Sequence, residues 1–145
     1  MLQGSTLVVV ADGAVGRFLQ RERPGAALVE RFDLAMTAPE AEQERDRAPR
    51  VHDSFGDARH AIERRMTAHE TSEMKFLADV ADRIIAVVRD HKPACLVLCA
   101  PPRALGQLRR LSASSIHGRA VVSLDKDITK ETIDDIDARI RDLRA

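Results

Sequence analysis

An apolar run, Thr6 to Ala11 (TLVVVA), opens the chain, and a second, Ala94 to Ala100 (ACLVLCA), lies far downstream. Runs this short and continuous, rich in β-branched side chains, fit strands buried on both faces of a sheet. Asp12-Gly13 after the first run is a strong hairpin signal. Val15 to Arg21 then alternates, with Val15, Arg17, Leu19 and Arg21 on one side and Gly16, Phe18 and Gln20 on the other. Pro24-Gly25 marks a second turn. Ala27 to Leu34 alternates again, which predicts a third strand and a three-stranded antiparallel meander.

From Met36 to Ala68 no periodicity is sustained and charge dominates (EAEQERDRAPR, GDARHAIERR). This predicts a long irregular loop over about 36–68, mobile without a partner, of a kind that is functional or disordered in most domains. Thr67 and Glu70 then match a capping box, and Met74, Leu77, Ala81, Ile84, Ile85 and Val88 recur at helical spacing before Pro93. Pro101-Pro102 ends the second apolar run and opens a short helix, Arg103 to Leu111. Arg119 to Leu124 (RAVVSL) predicts a fifth strand, and Thr129 a cap for a last helix with Ile133, Ile136, Ile140 and Leu143 on one face. The order βββ-α-β-α-β-α gives a single α/β domain over 1–145. Its five-stranded mixed sheet has the order 3-2-1-4-5, with helices packed on it and the two apolar strands parallel at the centre through a right-handed crossover. That is a ribonuclease-H-like arrangement.

Composition narrows the chemistry. The 145 residues include 23 basic and 23 acidic side chains and are 44% hydrophobic, enough for one core. Zero net charge argues against holding nucleic acid or membrane by bulk electrostatics and leaves room only for a local basic patch. With no Trp, no Tyr and four Phe, the chain lacks a base-stacking platform. Two Cys exclude a disulfide framework. Cys95 and Cys99 share one strand face roughly 13 Å apart and read as small core residues. The first apolar run is too short for a signal peptide or a membrane span, so a cytoplasmic location without membrane contact is expected.

Ligands of open α/β sheets sit beyond the carboxyl ends of the parallel strands. Here those ends are Asp12-Gly13, Pro101-Pro102-Arg103 and Asp125-Lys126-Asp127. Asp12, Arg103 and Lys126 are therefore candidate binding residues, with Arg103 beside a helix N-terminus that favours anions. The alternative is a rim that is charged because it is exposed. In the loop, Arg50, Arg59, His60, Arg64 and Arg65 are candidate phosphate contacts, offset by Glu40, Glu42, Glu44 and Asp57. Two-metal nuclease chemistry needs several carboxylates, but the first strand ends in Asp12 alone and the fourth offers none. His69-Glu70-Thr71-Ser72-Glu73 lacks the second His of the H-E-x-x-H zinc motif. His52, Asp53, Asp57 and His60 are compatible with a metal cluster, though loops carry such residues anyway. No nucleophile elbow, Walker loop or G-x-G-x-x-G is present. No catalytic residue is assigned, and no metal or cofactor is expected.

Several stretches resemble a known family when taken together. They are Val8 to Ala14, Asp46 to Arg50 leading to His52-Asp53-Ser54-Phe55-Gly56 and Arg59-His60-Ala61, His69-Glu70, Ala100 to Arg109, and Lys126-Asp127-Ile128-Thr129. In order and spacing they resemble the bacterial family named "protein required for attachment to host cells", which is similar to the middle domain of archaeo-eukaryotic peptide-chain release factors. The resemblance implies a ribonuclease-H-like fold and a role near tRNA or the ribosome. Release-factor middle domains carry a Gly-Gly-Gln tip that helps water attack the peptidyl-tRNA ester. The corresponding stretch here, Arg50 to Arg65, holds one Gly and no Gln, which speaks against that hydrolysis. Two further expectations stand beside RNA binding. One is a non-enzymatic interaction or regulatory protein with protein partners, required indirectly for attachment. The other is a hydrolase using Asp12, Arg103 and Lys126 with the loop histidines.

Overall fold

The computed structural model describes residues 2–39 and 55–143, with the backbone alone for 55–67. Its strands are β1 (Thr6–Ala11), β2 (Val15–Arg21), β3 (Val29–Glu30), β4 (Met36–Thr37), β5 (Cys95–Cys99) and β6 (Ala120–Leu124). Its helices are α1 (Phe55–His91), α2 (Pro102–Ile116) and α3 (Ile133–Arg141). The six-stranded mixed sheet has the order β3-β2-β1-β5-β6, and β4 also pairs with β2.

The two apolar runs meet as expected. β1 and β5 pair in parallel, with Val8 opposite Val97 and Val9 opposite Leu98, and every residue of both strands is buried. One face of the sheet carries Leu7, Val9, Phe18, Leu96 and Leu98 against α1 and α2. The other carries Val8, Val10, Leu19, Val97 and both cysteines against Ile128 and the Ile136–Ile140 stripe of α3. The β1–β2 hairpin is closed by Asp12, whose Oδ1 accepts from the N–H groups of Ala14 (2.8 Å) and Val15 (2.7 Å).

Five elements differ from the sequence expectation. The third strand is cut short at Glu30, because Arg31 folds onto Asp33 (Nη2–Oδ2 2.7 Å) and a 3₁₀ turn, Phe32–Leu34, follows. β4 then returns to β2, opposite Val15 and Gly16. The chain is already helical from Phe55, so the irregular segment does not reach residue 68 and the Thr67–Glu70 capping box lies inside α1. The sequence there holds strong helix formers (Ala58, Ala61, Glu63, Arg64, Arg65) among its charges, which suits a helix. Residues 40–54 lie outside the described residues. α2 runs on to Ile116 because Ser112 and Ile116 continue the buried stripe of Leu105 and Leu108. The last helix is capped by Thr132, whose hydroxyl accepts from the Asp135 N–H, rather than by Thr129.

Two arginines of β2 hold α3 and its approach to the sheet. Arg17 makes a two-pronged pair with Glu30 (2.8 and 2.7 Å) and donates to the carbonyls of Thr129 (3.0 Å) and Glu131 (2.7 Å). The Glu30 carboxylate raises the guanidinium pKa above its ordinary value, outweighing the opposing effect of burial. Arg21 is almost wholly buried, 2% exposed, and lies 3.7 Å from Asp137 of α3. Its Nε and Nη2 are buried without a hydrogen-bond partner. A loose buried pair of this kind attracts too weakly to offset its desolvation.

Removing one charge of that pair should therefore cost far more than removing both. Asp137→Ala is expected to lose about 3 kcal/mol in urea denaturation, and Arg21→Met with Asp137→Leu to regain most of it. Equal losses in both variants would mean that the pair itself is stabilising. The thiols give a second expectation. Burial pushes Cys99 up to about 12, and Cys95 in the same direction. A thiol reagent at neutral pH should label neither in the folded chain. A folded pKa above the unfolded value favours folding fully below the unfolded value of about 9, so stability should fall as pH rises from there towards 12, readable in pH-dependent melts.

Candidate functional site

The carboxyl ends of β1 and β5 open into a cleft of about 110 Å³, lined by Gly13, Glu70, Glu73, Pro101, Arg103 and Gln107 among others. Three local choices shape it. Pro101 caps α2 and Pro102 starts it, so β5 passes directly into a helix whose first turn faces the cleft. α1 crosses the same edge with Glu70 and Glu73 towards it. Gly13 lets α1 come close: a Cβ there would stand 2.6 Å from Glu73 Oε1 and 2.9 Å from its Cγ. Glu73 thus lies on the bare backbone of the hairpin turn. Its Oε1 also meets His69 Nε2 at 3.1 Å, one helical turn back.

The expected rim residues do not point into one place. Asp12 is consumed by the hairpin, and its second oxygen meets Thr129 Oγ1 at 3.4 Å on the α3 side of the sheet. Arg103 turns to the other side and meets Glu70 of α1 at 3.5 Å. Lys126 is exposed on the β6–α3 connection. There Asp127 accepts from both the N–H and the hydroxyl of Thr129 (3.1 and 2.7 Å). Arg59, His60, Arg64 and Arg65 are placed on the helical backbone of α1, whereas Arg50, His52 and Asp53 lie outside the described residues.

Sequence reasoning named Arg103 but missed its partner, because Glu70 read as a helix cap. It also missed Gln107 and the seating of Glu73 on Gly13. A Gly after the hairpin Asp has an ordinary turn role, so nothing in the sequence flagged the close approach. Electrostatically the cleft sets two carboxylates against one guanidinium, which is 67% exposed. Such a lining favours a hydrogen-bond donor or a cation over a free anion. A phosphate would be met at the outer face of Arg103, away from Glu73. Among the described residues, no three His, Cys, Asp or Glu side chains come together as metal ligands. No helix among them is long and apolar enough to cross a membrane.

The seating of Glu73 predicts a coupled pair. Gly13→Ala is expected to push Glu73 off His69 and cost about 1 kcal/mol, while the same change in a Glu73→Ala background costs clearly less. Additive losses in a double-mutant cycle would show that the two residues do not touch energetically.

Residues 7–140 match the family model described as "Protein required for attachment to host cells", so the chain belongs to that family. Comparison with curated proteins gave no match.

Proposed function

We propose that this chain, as a member of the family of proteins required for attachment to host cells, is a cytoplasmic, release-factor-like module that binds tRNA or the ribosome without hydrolysing the peptidyl ester. The observation that carries this reading is the length of α1. The helix has 37 residues, about 55 Å of axis, but its first core residue among those described is Phe76. Glu70 and Glu73 are level with the strand ends. The helix therefore runs on for about 20 Å past that edge, carrying Arg59, His60, Arg64 and Arg65. Cations on a preformed helix meet a phosphate backbone at less ordering cost than cations on a loop.

Two further points support the reading. The sheet order suits a ribonuclease-H-like fold of the release-factor middle-domain kind. The segment 50–65, with one Gly and no Gln, suits binding without ester hydrolysis. Zero net charge and the acidic lining of the cleft favour a second reading, a non-enzymatic regulatory protein that acts through protein partners and bears on attachment indirectly. The hydrolase reading has less support, since Asp12 is used up in the turn.

Ribosome co-sedimentation and tRNA filter binding separate these readings. Binding at low salt should weaken steeply at high salt. Arg64→Ala and Arg65→Ala should each lower affinity and flatten the salt slope by about one phosphate, and Arg103→Ala likewise. No association with ribosomes or tRNA at low salt would leave the regulatory reading standing. Turnover of RNA or phosphoesters by the wild-type chain, with or without added metal, would favour the hydrolase.

A further inference from the structure

The two edges of the sheet are treated very differently. On one, β3 and β4 have two residues each and are separated by a 3₁₀ turn and the Arg31–Asp33 pair. An edge broken in this way cannot template another strand. On the other edge, β6 pairs with β5 on its inner side, and among the described strands none lies outside it. Its sequence, Ala-Val-Val-Ser-Leu, has no charge, Pro or Gly. Four of its five residues are half-buried.

The hydrogen-bond phase of β6 can be read directly. The Ala100 N–H donates to the Leu124 carbonyl at 3.1 Å, so Leu124 directs its backbone groups inward. Backbone groups alternate along a strand, so Val122 also points inward, while Val121 and Ser123 present their N–H and C=O groups outward. The charges flanking the strand are opposite in sign: Asp125 after it is exposed, whereas Arg119 before it is half-buried, with Nη1 donating to the Pro93 carbonyl and its N–H to the Ile116 carbonyl.

We propose that β6 is a homodimer interface, pairing antiparallel with β6 of a second copy about a two-fold axis at Val122, so that the two sheets become one. Among the registers open to an antiparallel edge, this one satisfies phase and charge together. It sets Val121 opposite Ser123 of the second copy, both with outward backbone groups, which is a hydrogen-bonded pair. It sets Val122 opposite its own copy as a non-hydrogen-bonded pair. Beyond the strand, it also brings Arg119 of each chain opposite Asp125 of the other, as a side-chain attraction through the guanidinium nitrogens that Pro93 does not take. Opposite charges directly across a pair of strands attract, and a two-fold axis makes the match count twice. A flanking pair of like charges would have argued against self-pairing; this strand carries a self-complementary one.

The test uses the whole chain. Sedimentation velocity over a range of concentrations should show a monomer–dimer equilibrium. Ser123→Pro removes an outward N–H that the inner ladder does not use, along with an exposed hydrogen bond from Arg109 that Ser123→Ala removes alone, so Ser123→Pro should abolish the dimer and Ser123→Ala should keep it, circular dichroism staying unchanged in both. Asp125→Arg should raise the dimer Kd about tenfold, and Asp125→Arg with Arg119→Asp should restore it. Register is read by cross-linking. A non-hydrogen-bonded pair places its Cα atoms about 4.5 Å apart, within disulfide range. Val122→Cys should therefore form a disulfide-linked dimer when oxidised glutathione accepts the two electrons and two protons of the thiol pair. Val121→Cys, which faces Ser123, should not. A monomer at every concentration overturns the proposal. So does a dimer indifferent to Ser123→Pro, or equal cross-linking at 121 and 122.

Discussion

The parallel pairing of β1 with β5 is the constraint from which the rest of the molecule follows. Both strands are apolar along their whole length and buried throughout, so neither face of the sheet centre can be left to water. A parallel pair also requires the chain to cross from one end of the sheet to the other. α1 makes that crossing and covers one face as it does so. The opposite face is left to α3 and the β6–α3 connection, which reach it only at the end of the chain. Burial on both faces and the crossover are thus one requirement, met by helices from two distant parts of the sequence.

Polar chemistry is arranged around that apolar centre in two different ways. On the α3 side it is structural: Arg17 ties β2 and β3 to the carbonyls before α3, with both prongs on Glu30 and good distances throughout. Arg21 is a poorer version of the same device, close enough to Asp137 for partial neutralisation and too far for a hydrogen bond. Its positive charge also pulls against the burial that raises Cys95. On the α1 side, at the strand ends, the pairs are exposed and longer, and Glu70–Arg103 at 3.5 Å between two largely solvated groups contributes little to stability. The weakly held charges are therefore the ones that a ligand can recruit at small cost.

Most of the architecture was legible in the sequence. The two apolar runs fixed the sheet centre, and Asp12-Gly13 the hairpin. Failures came where local chemistry overrode periodicity. Alternation continued through Phe32, yet Phe32 is 74% exposed, because the Arg31–Asp33 pair turns the chain there. The first half of α1 carries only a sparse apolar spacing, Phe55, Ala58, Ile62 and Met66, among many charges, so its periodicity is easily overlooked although its helix formers are present. The Thr67–Glu70 box matched a motif that operates only at a helix start. For the cleft, strand ends gave the right neighbourhood and Arg103 the right residue. Which face each side chain turns to depends on contacts more than thirty positions apart in sequence, as between Arg103 and Glu70, and these leave no local trace.

The same central pairing has a consequence for the order of events on the ribosome. β1 and β2 are made first and can close their hairpin at once, but the other edge of β1 waits for β5, which joins the sheet beside a contact spanning 89 residues, Ser5 to Ala94. At ordinary elongation rates that wait is on the order of ten seconds, during which an apolar six-residue edge has no partner. The late-made α3, tied back to Arg17 across 114 residues, closes the second face later still. Newly synthesised chains should therefore depend on chaperone cover until β5 emerges, and be most prone to aggregate when translation pauses within α1.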